Sequence, residues 1–275
     1  MSEGLLPRPA RLGARSVALA YLGVLLLAPV GMIFYRTFEH GVSPVWNALT
    51  SQPAVHALLL TLELIAIAVP LNTVFGVLAA MWIVRGRSRG RWLVGLLIDL
   101  PFALSPVVVG LALLLVYGDN GWFGNTLTGE GVQVAFAVPG MVLATCFVSL
   151  PYVTRECVPA LREIGTEPEE AAATLGASRW QTFWRVTLPA LRWAVVYGVV
   201  LTTARSLGEF GAVSIISGDI EGKTQSLPLY VQDRYANFDT VGAYSASMLL
   251  AALALATLLL MSRFTRHRST TMTTG

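Results

Sequence analysis

Ionisable side chains are scarce here, and four of them fall where charge is hardest to keep. Glu63, Asp99, Arg205 and Glu209 lie inside or at the edge of long apolar runs. A charge placed in hydrocarbon is costly and marks an ion path, a gate or a packing lock. Arg205 and Glu209 are four residues apart, so on a helix they share one face and can pair. Gly198, Thr202, Arg205, Glu209 and Ala212 follow at steps of four and three, a polar stripe of small residues suited to a helix interface or a pore wall. With Ser206 beside them, Thr202, Arg205 and Glu209 are the candidate path or gate residues of this run. Two readings stay open. Arg205 helps an anion cross the midplane, or the pair neutralises itself and locks packing or a gate. The second fits better, because a tight cationic site traps an anion and conduction needs weak binding. Glu63 and Asp99 are read as acceptors for serine, threonine or backbone donors.

Chemistry of other kinds finds no support. No Ser/His pair lies inside an apolar run, and His40, His56 and His267 sit near or beyond the edges. There is no HExxH and no aspartate-rich metal motif. Cys146 and Cys157 are read as free structural thiols. Ser217-Gly218-Asp219-Ile220-Glu221-Gly222-Lys223-Thr224 nearly spells a phosphate-binding P-loop, but Ser217 stands where its first glycine belongs. Lys223 is the only lysine, so no other P-loop exists. No cofactor, metal or nucleotide is expected on this chain.

These residues must be positioned by membrane spans. The 275 residues are 55% hydrophobic and 13% charged, with mean hydropathy +0.64. Soluble domains carry about 25% charged residues. Six apolar runs, at 17–38, 57–84, 92–117, 134–154, 190–216 and 241–261, are each long enough for a core of about 30 Å. The first exceeds a signal-peptide core and no cleavage site follows, so it is kept as a span. Arg8, Arg11 and Arg15 precede the first span, and Arg85, Arg87, Arg89 and Arg91 separate the second from the third. Arg155, Arg162, Arg179, Arg185 and Arg192 fall between the fourth and fifth, and Arg263, Arg266 and Arg268 follow the sixth. Only Arg36, Lys223 and Arg234 fall on the other side. The positive-inside rule then places both termini in the cytoplasm and explains the net charge of +3 without nucleic acid. The expected layout is an all-α integral membrane protein: a tail at 1–16, a six-helix domain at 17–262 and a tail at 263–275. The third span is predicted to break near Pro101–Pro106, since proline frees helical carbonyls that need protein or water. Ser105 and Pro106 would then line the path.

One element projects from this frame, a cytoplasmic loop at about 157–189. Thr166-Glu167-Pro168-Glu169 has the form of a capping box. Glu167, Glu169 and Glu170 suit the positive end of a helix dipole. Ala171 and Ala172 let another backbone approach, and Gly176 can take the left-handed turn that ends a helix. Ser178 with Gln181 offers a second capping box, and Trp180, Phe183 and Trp184 follow. The loop is too short to be a catalytic domain. Uphill transport would therefore draw on an ion gradient or on another subunit.

Glu170-Ala171-Ala172, Gly176, Val186, Leu188 and Pro189 resemble, in order and spacing, the EAA signature of permease subunits in binding-protein-dependent ABC importers. Val186 stands where isoleucine is commoner. Residues 68–80, 99–121, 191–218 and 225–231 are similar to sulfate/thiosulfate permeases of the CysW type, with molybdate and tungstate permeases next. The resemblance implies a type I importer permease fold in a bacterial inner membrane. It implies that the loop with Glu169, Glu170, Ala171, Ala172, Gly176, Leu188 and Pro189 docks on an ATPase. It also implies the partners: a second, CysT-type permease subunit, a dimer of CysA-type ATPases carrying ATP and magnesium, and an extracytoplasmic sulfate-binding protein. A secondary anion transporter, with Glu63, Asp99 and Glu209 as a proton relay, is the alternative from another class.

Overall fold

A computed structural model describes residues 8–86 and 89–271. Arg87, one of the orienting arginines, lies outside the described residues, as do positions 1–7 and 272–275 of the two tails. The regular structure is entirely helical among the described residues. The chain opens with α1 (Arg8–Leu22), a π-helical turn at Gly23–Leu27 and α2 (Ala28–Phe38). Short α3 (Val42–Leu49) leads to α4 (Gln52–Arg85), then α5 (Arg91–Ala103) and α6 (Pro106–Tyr117). After α7 (Gly124–Gly129) come α8 (Val138–Ser149), α9 (Pro151–Ile164), α10 (Glu167–Thr174) and α11 (Arg179–Thr182). A second π-helical turn at Phe183–Thr187 feeds α12 (Leu188–Leu207), followed by α13 (Gly211–Ile216), α14 (Leu227–Ala236) and α15 (Thr240–Thr271).

Among the described residues, five helical stretches are long and apolar enough to cross a bilayer, and six if the bent α5–α6 pair is one span. That pair turns by 111°. Pro101 sits inside α5 without ending it. The break falls at Leu104 and Ser105, whose ψ values of 140° and 136° are extended. The cause is Pro106, because a residue before proline is pushed out of the helical region. The fifth span departs from the reading to residue 216: α12 stops at Leu207, and Gly208, Glu209 and Phe210 separate it from α13. One continuous stripe from Gly198 to Ala212 is therefore wrong beyond Leu207. Gly208 lets the helix end, and a carboxylate four residues after Arg205 still reaches back to it.

The core is organised around α4, which contributes to three apolar clusters. One joins α4 to α6, α8, α13 and α14, one to α9 and α12, and one to α14 and α15. Lipid is as apolar as leucine, so these contacts depend on close fit more than on escape from water. Fully buried Val153 shows how close. A Cβ at Gly76 would stand 2.7 Å from its Cβ, and one at Gly198 only 2.8 Å from its Cα. α4, α9 and α12 thus meet backbone to backbone around one valine. Asn72 adds a polar tie, its Nδ2 donating to the Cys146 carbonyl at 2.9 Å and to Ser149 Oγ at 2.8 Å. α1 and α2 stay at the margin, where Thr37 alone of α2 is buried and its hydroxyl donates to the Tyr244 carbonyl at 3.1 Å.

Candidate functional site

α10 begins after a left-handed Gly165 (φ +69°) and ends in a glycine turn. Gly176 has φ +83°, which a residue with a Cβ rarely adopts. Its N–H donates to the Ala173 carbonyl at 3.0 Å, and the Ala177 N–H reaches the Ala172 carbonyl at 3.0 Å. Those two bonds form a Schellman motif, which satisfies carbonyls that a helix end would leave open. The second capping box is complete, with Gln181 N–H donating to Ser178 Oγ at 3.3 Å and Ser178 N–H to Gln181 Oε1 at 2.9 Å. The first is not formed. Thr166 (φ −100°, ψ −12°) accepts nothing through its side chain. Glu169, its expected partner, has better offers: Arg85 Nε at 3.0 Å and the Thr187 hydroxyl, donating at 3.0 Å. Arg85 also donates to the Gly165 carbonyl. One carboxylate thus ties α10 to the end of α4 and to the π-helical turn before α12.

Held at its base, α10 is otherwise bare. None of its residues is buried, Glu170 and Ala171 are exposed, Ala172 is half-buried and Leu175 at the tip is 88% exposed. Trp180, Phe183 and Trp184 pack edge to face and tilted at centroid distances of 5.4–6.1 Å, with both tryptophans exposed. Leu188 is half-buried and Pro189 opens α12 at the surface. Through Arg85, α10 is held at the end of α4 that leads into the arginine-rich α4–α5 connection of the sequence.

Arg205 and Glu209 form the expected pair, Nη1 to Oε2 at 2.7 Å. The pair is lopsided: the Glu209 side chain is 2% exposed and that of Arg205 28%. Glu209 Oε1 accepts the Ala212 N–H at 3.0 Å and so caps α13 across the break. Thr202 is fully buried and donates to the Gly198 carbonyl at 2.8 Å, which removes it from any open wall within this chain. Ser206 is buried as well, its hydroxyl without a partner among the described residues. Ser105 is exposed at the α5–α6 bend, and Pro106 packs on Gly211, where a Cβ would come within 2.9 Å. The bend in the third span therefore touches the first residue of α13, two positions past Glu209.

Among the described residues, Asp99 does not rest on a hydroxyl or backbone donor. Arg155 Nε lies 3.0 Å from its Oδ1 and spreads the guanidinium over Phe102, 4.3 Å from the ring centroid. Phe102 in turn meets Tyr152 edge to face at 5.5 Å. Glu63 makes no hydrogen bond or ion pair among the described residues and stands exposed on α4. The near-P-loop is a closed turn. Thr224 donates to the Ser217 carbonyl at 2.7 Å and accepts the Ile220 N–H at 3.2 Å, and no helix begins until Leu227. Burial raises the Asp219 carboxyl above its ordinary range, Gln225 opposing the rise by hydrogen bonding. Arg85, Thr187 and Arg155 were not singled out as site residues from sequence. Their partners lie 84, 18 and 56 positions away, beyond any local signal.

A permease of Synechococcus elongatus, named sulfate transport system permease protein CysW, is 49% identical over 259 residues, covering 94% of this chain and 89% of the relative. The sulfate transport system permease protein CysT of Escherichia coli is 40% identical over 236 residues, covering 86% of this chain and 85% of its own. Among solved structures, a chain of a bacterial alginate ABC transporter in complex with an alginate-pentasaccharide-bound periplasmic protein superposes with a TM-score of 0.78 at 20% identity. That match covers 94% of this chain and 95% of the other, and it shows the ABC importer permease fold. The profile of the family described as binding-protein-dependent transport system inner membrane component matches residues 72–268. This chain belongs to the binding-protein-dependent transport system inner membrane component family.

Proposed function

We propose that this chain is the permease subunit of an ATP-driven importer of sulfate, with thiosulfate as a second substrate. The observation that carries the reading is α10: with none of its residues buried, closed by Gly176 and fastened at its base by Glu169. A helix so held moves only with the spans it is tied to, so a grip on it is a grip on α4 and α12. Sulfate comes from the relatives that carry that substrate in their names. Both termini and α10 lie on the cytoplasmic side of a bacterial inner membrane, a reading supported by the distribution of the arginines.

The chain itself binds no cofactor. ATP and magnesium sit on a dimer of CysA-type ATPases, one of which holds α10. A CysT-type permease forms the other half of the path, and an extracytoplasmic sulfate-binding protein loads it. Closure of the ATPases pulls α10 and tilts the packed α4–α9–α12 body, which opens the path outward. Arg205 and Glu209 act as a lock on the α12–α13 break, with Ser105 and Pro106 on the facing bend. Because the pair is internally neutral, a dianion meets no deep trap there.

The test is uptake of radiolabelled sulfate in cells lacking this chain and complemented with it, together with co-purification of the ATPase. Restored uptake that survives collapse of the proton gradient at constant ATP supports the reading. Uptake that stops with the gradient, or a purified chain that never retains an ATPase, overturns it.

A further inference from the structure

Glu63 is an acid in the middle of an apolar run, without a partner among the described residues. It lies on α4 eleven residues past Gln52, with Leu59, Leu62 and Ile67 exposed beside it at 59%, 42% and 38%. The helix turns its other side, with Leu60, Thr61 and Leu64, into the core. A second polar group shares the outward face. Pro70 lies inside α4 and has no N–H, so the Ala66 carbonyl loses its helical donor. Ala66 and Pro70 are both exposed, one and two turns from Glu63. From Leu62 to Pro70 this face carries two acceptors and no side-chain donor, within a span whose surroundings are hydrocarbon unless protein covers it.

We infer that this face of α4 is the seat of the second permease subunit, and that the subunit brings a hydrogen-bond donor, cationic or neutral, to Glu63. The inference rests on the importer reading and names one contact within it. Lipid tails offer no donor to either group. A second copy of this chain seated through the same face would bring carboxylate against carboxylate across the two-fold axis, which disfavours the homodimer. A distinct subunit with a complementary side chain meets the requirement. In such a contact the carboxylate also fixes the rotation of one helix against the other, as lone buried polar groups do in helix pairs.

The experiment uses the whole complex, purified from cells making both permeases and the ATPase. Glu63→Leu is expected to lower the amount of second permease retained by about tenfold, because its donor is left unpaired. Glu63→Gln, which keeps an acceptor, is expected to restore most of it. In otherwise native chain, p-benzoyl-phenylalanine at Ile67, one turn away on the same face, is expected to cross-link the second permease. If the face meets lipid, Glu63→Leu instead leaves retention equal or higher and the probe labels lipid alone, and the inference is overturned. A cross-link between two copies of this chain overturns it equally. Retention of the ATPase through α10 is scored in the same preparations. Its loss from wild-type complex strikes the importer reading itself, whereas its presence alongside a negative result at Ile67 and Glu63 strikes only this inference.

Discussion

Removing the two members of the Arg205–Glu209 pair should have unequal costs, and the inequality follows from their burial. Arg205→Ala leaves a carboxylate that is 2% exposed with one backbone donor, Ala212 N–H. Stranding a buried charge costs about 3–5 kcal/mol, and the lower end applies because water reaches the vacated arginine position. Glu209→Ala strands a guanidinium that is already 28% exposed and removes the charge-assisted cap on α13, together about 2 kcal/mol. The double variant has no stranded charge and keeps only the lost cap and a cavity, again about 2 kcal/mol. Arg205→Ala should therefore be the worst of the three, and adding Glu209→Ala to it should recover stability, with a coupling of about 3 kcal/mol. Equilibrium unfolding in mixed lipid–detergent micelles, followed by tryptophan fluorescence, measures all four corners of the cycle. Additivity within about 0.5 kcal/mol, or Glu209→Ala proving harsher than Arg205→Ala, would refute the assignment of the pair as a lock whose buried member is the acid.

Gly176→Val should uncouple sulfate-stimulated ATP hydrolysis from uptake while the complex still assembles. No atom lies within 4 Å of a new Cβ there, so the cost is backbone strain at φ +83°, about 1–2 kcal/mol, confined to the end of α10. Glu169→Ala and Arg85→Ala should each weaken ATPase affinity, and the double variant should fall short of the product of the singles by about 5- to 30-fold, corresponding to about 1–2 kcal/mol, by titration in nanodiscs. Gly198→Ala should destabilise the isolated chain by about 1–3 kcal/mol in the same unfolding assay, because the Val153 Cα stands 2.8 Å from the new methyl and backbone cannot step aside.

Much of the frame could be read from residue order because it rests on local rules. Apolar run length set the spans, Pro106 set the bend of the third, and Gly176 set the end of α10. Errors came where a partner far along the chain outbid a near one. Thr166 and Glu169 have the spacing of a capping box, yet Arg85 offers the carboxylate a full positive charge. Asp99 has hydroxyls nearby in sequence and takes Arg155 instead. The break after Leu207 was hidden because Arg205 and Glu209 have the four-residue spacing of neighbours on one continuous helix, which argued for helix straight through Gly208. Thr202 reads as polar lining in the sequence, but a threonine that bonds its own helix behaves as a core residue.

The meeting of Pro106 with Gly211 has a mechanical corollary. α6 and α13 each hang from the bundle by a short non-helical joint, at Leu104–Ser105 and at Gly208–Phe210, and they lie flush, with Ala212 filling the space that a side chain at Gly110 would need. Both helices are also seated on α4 and α8 through Val109, Ala212, Val213 and Ile216. A strain placed on the Arg205–Glu209 latch therefore bears on the third span through the same seam that holds α13 to the core.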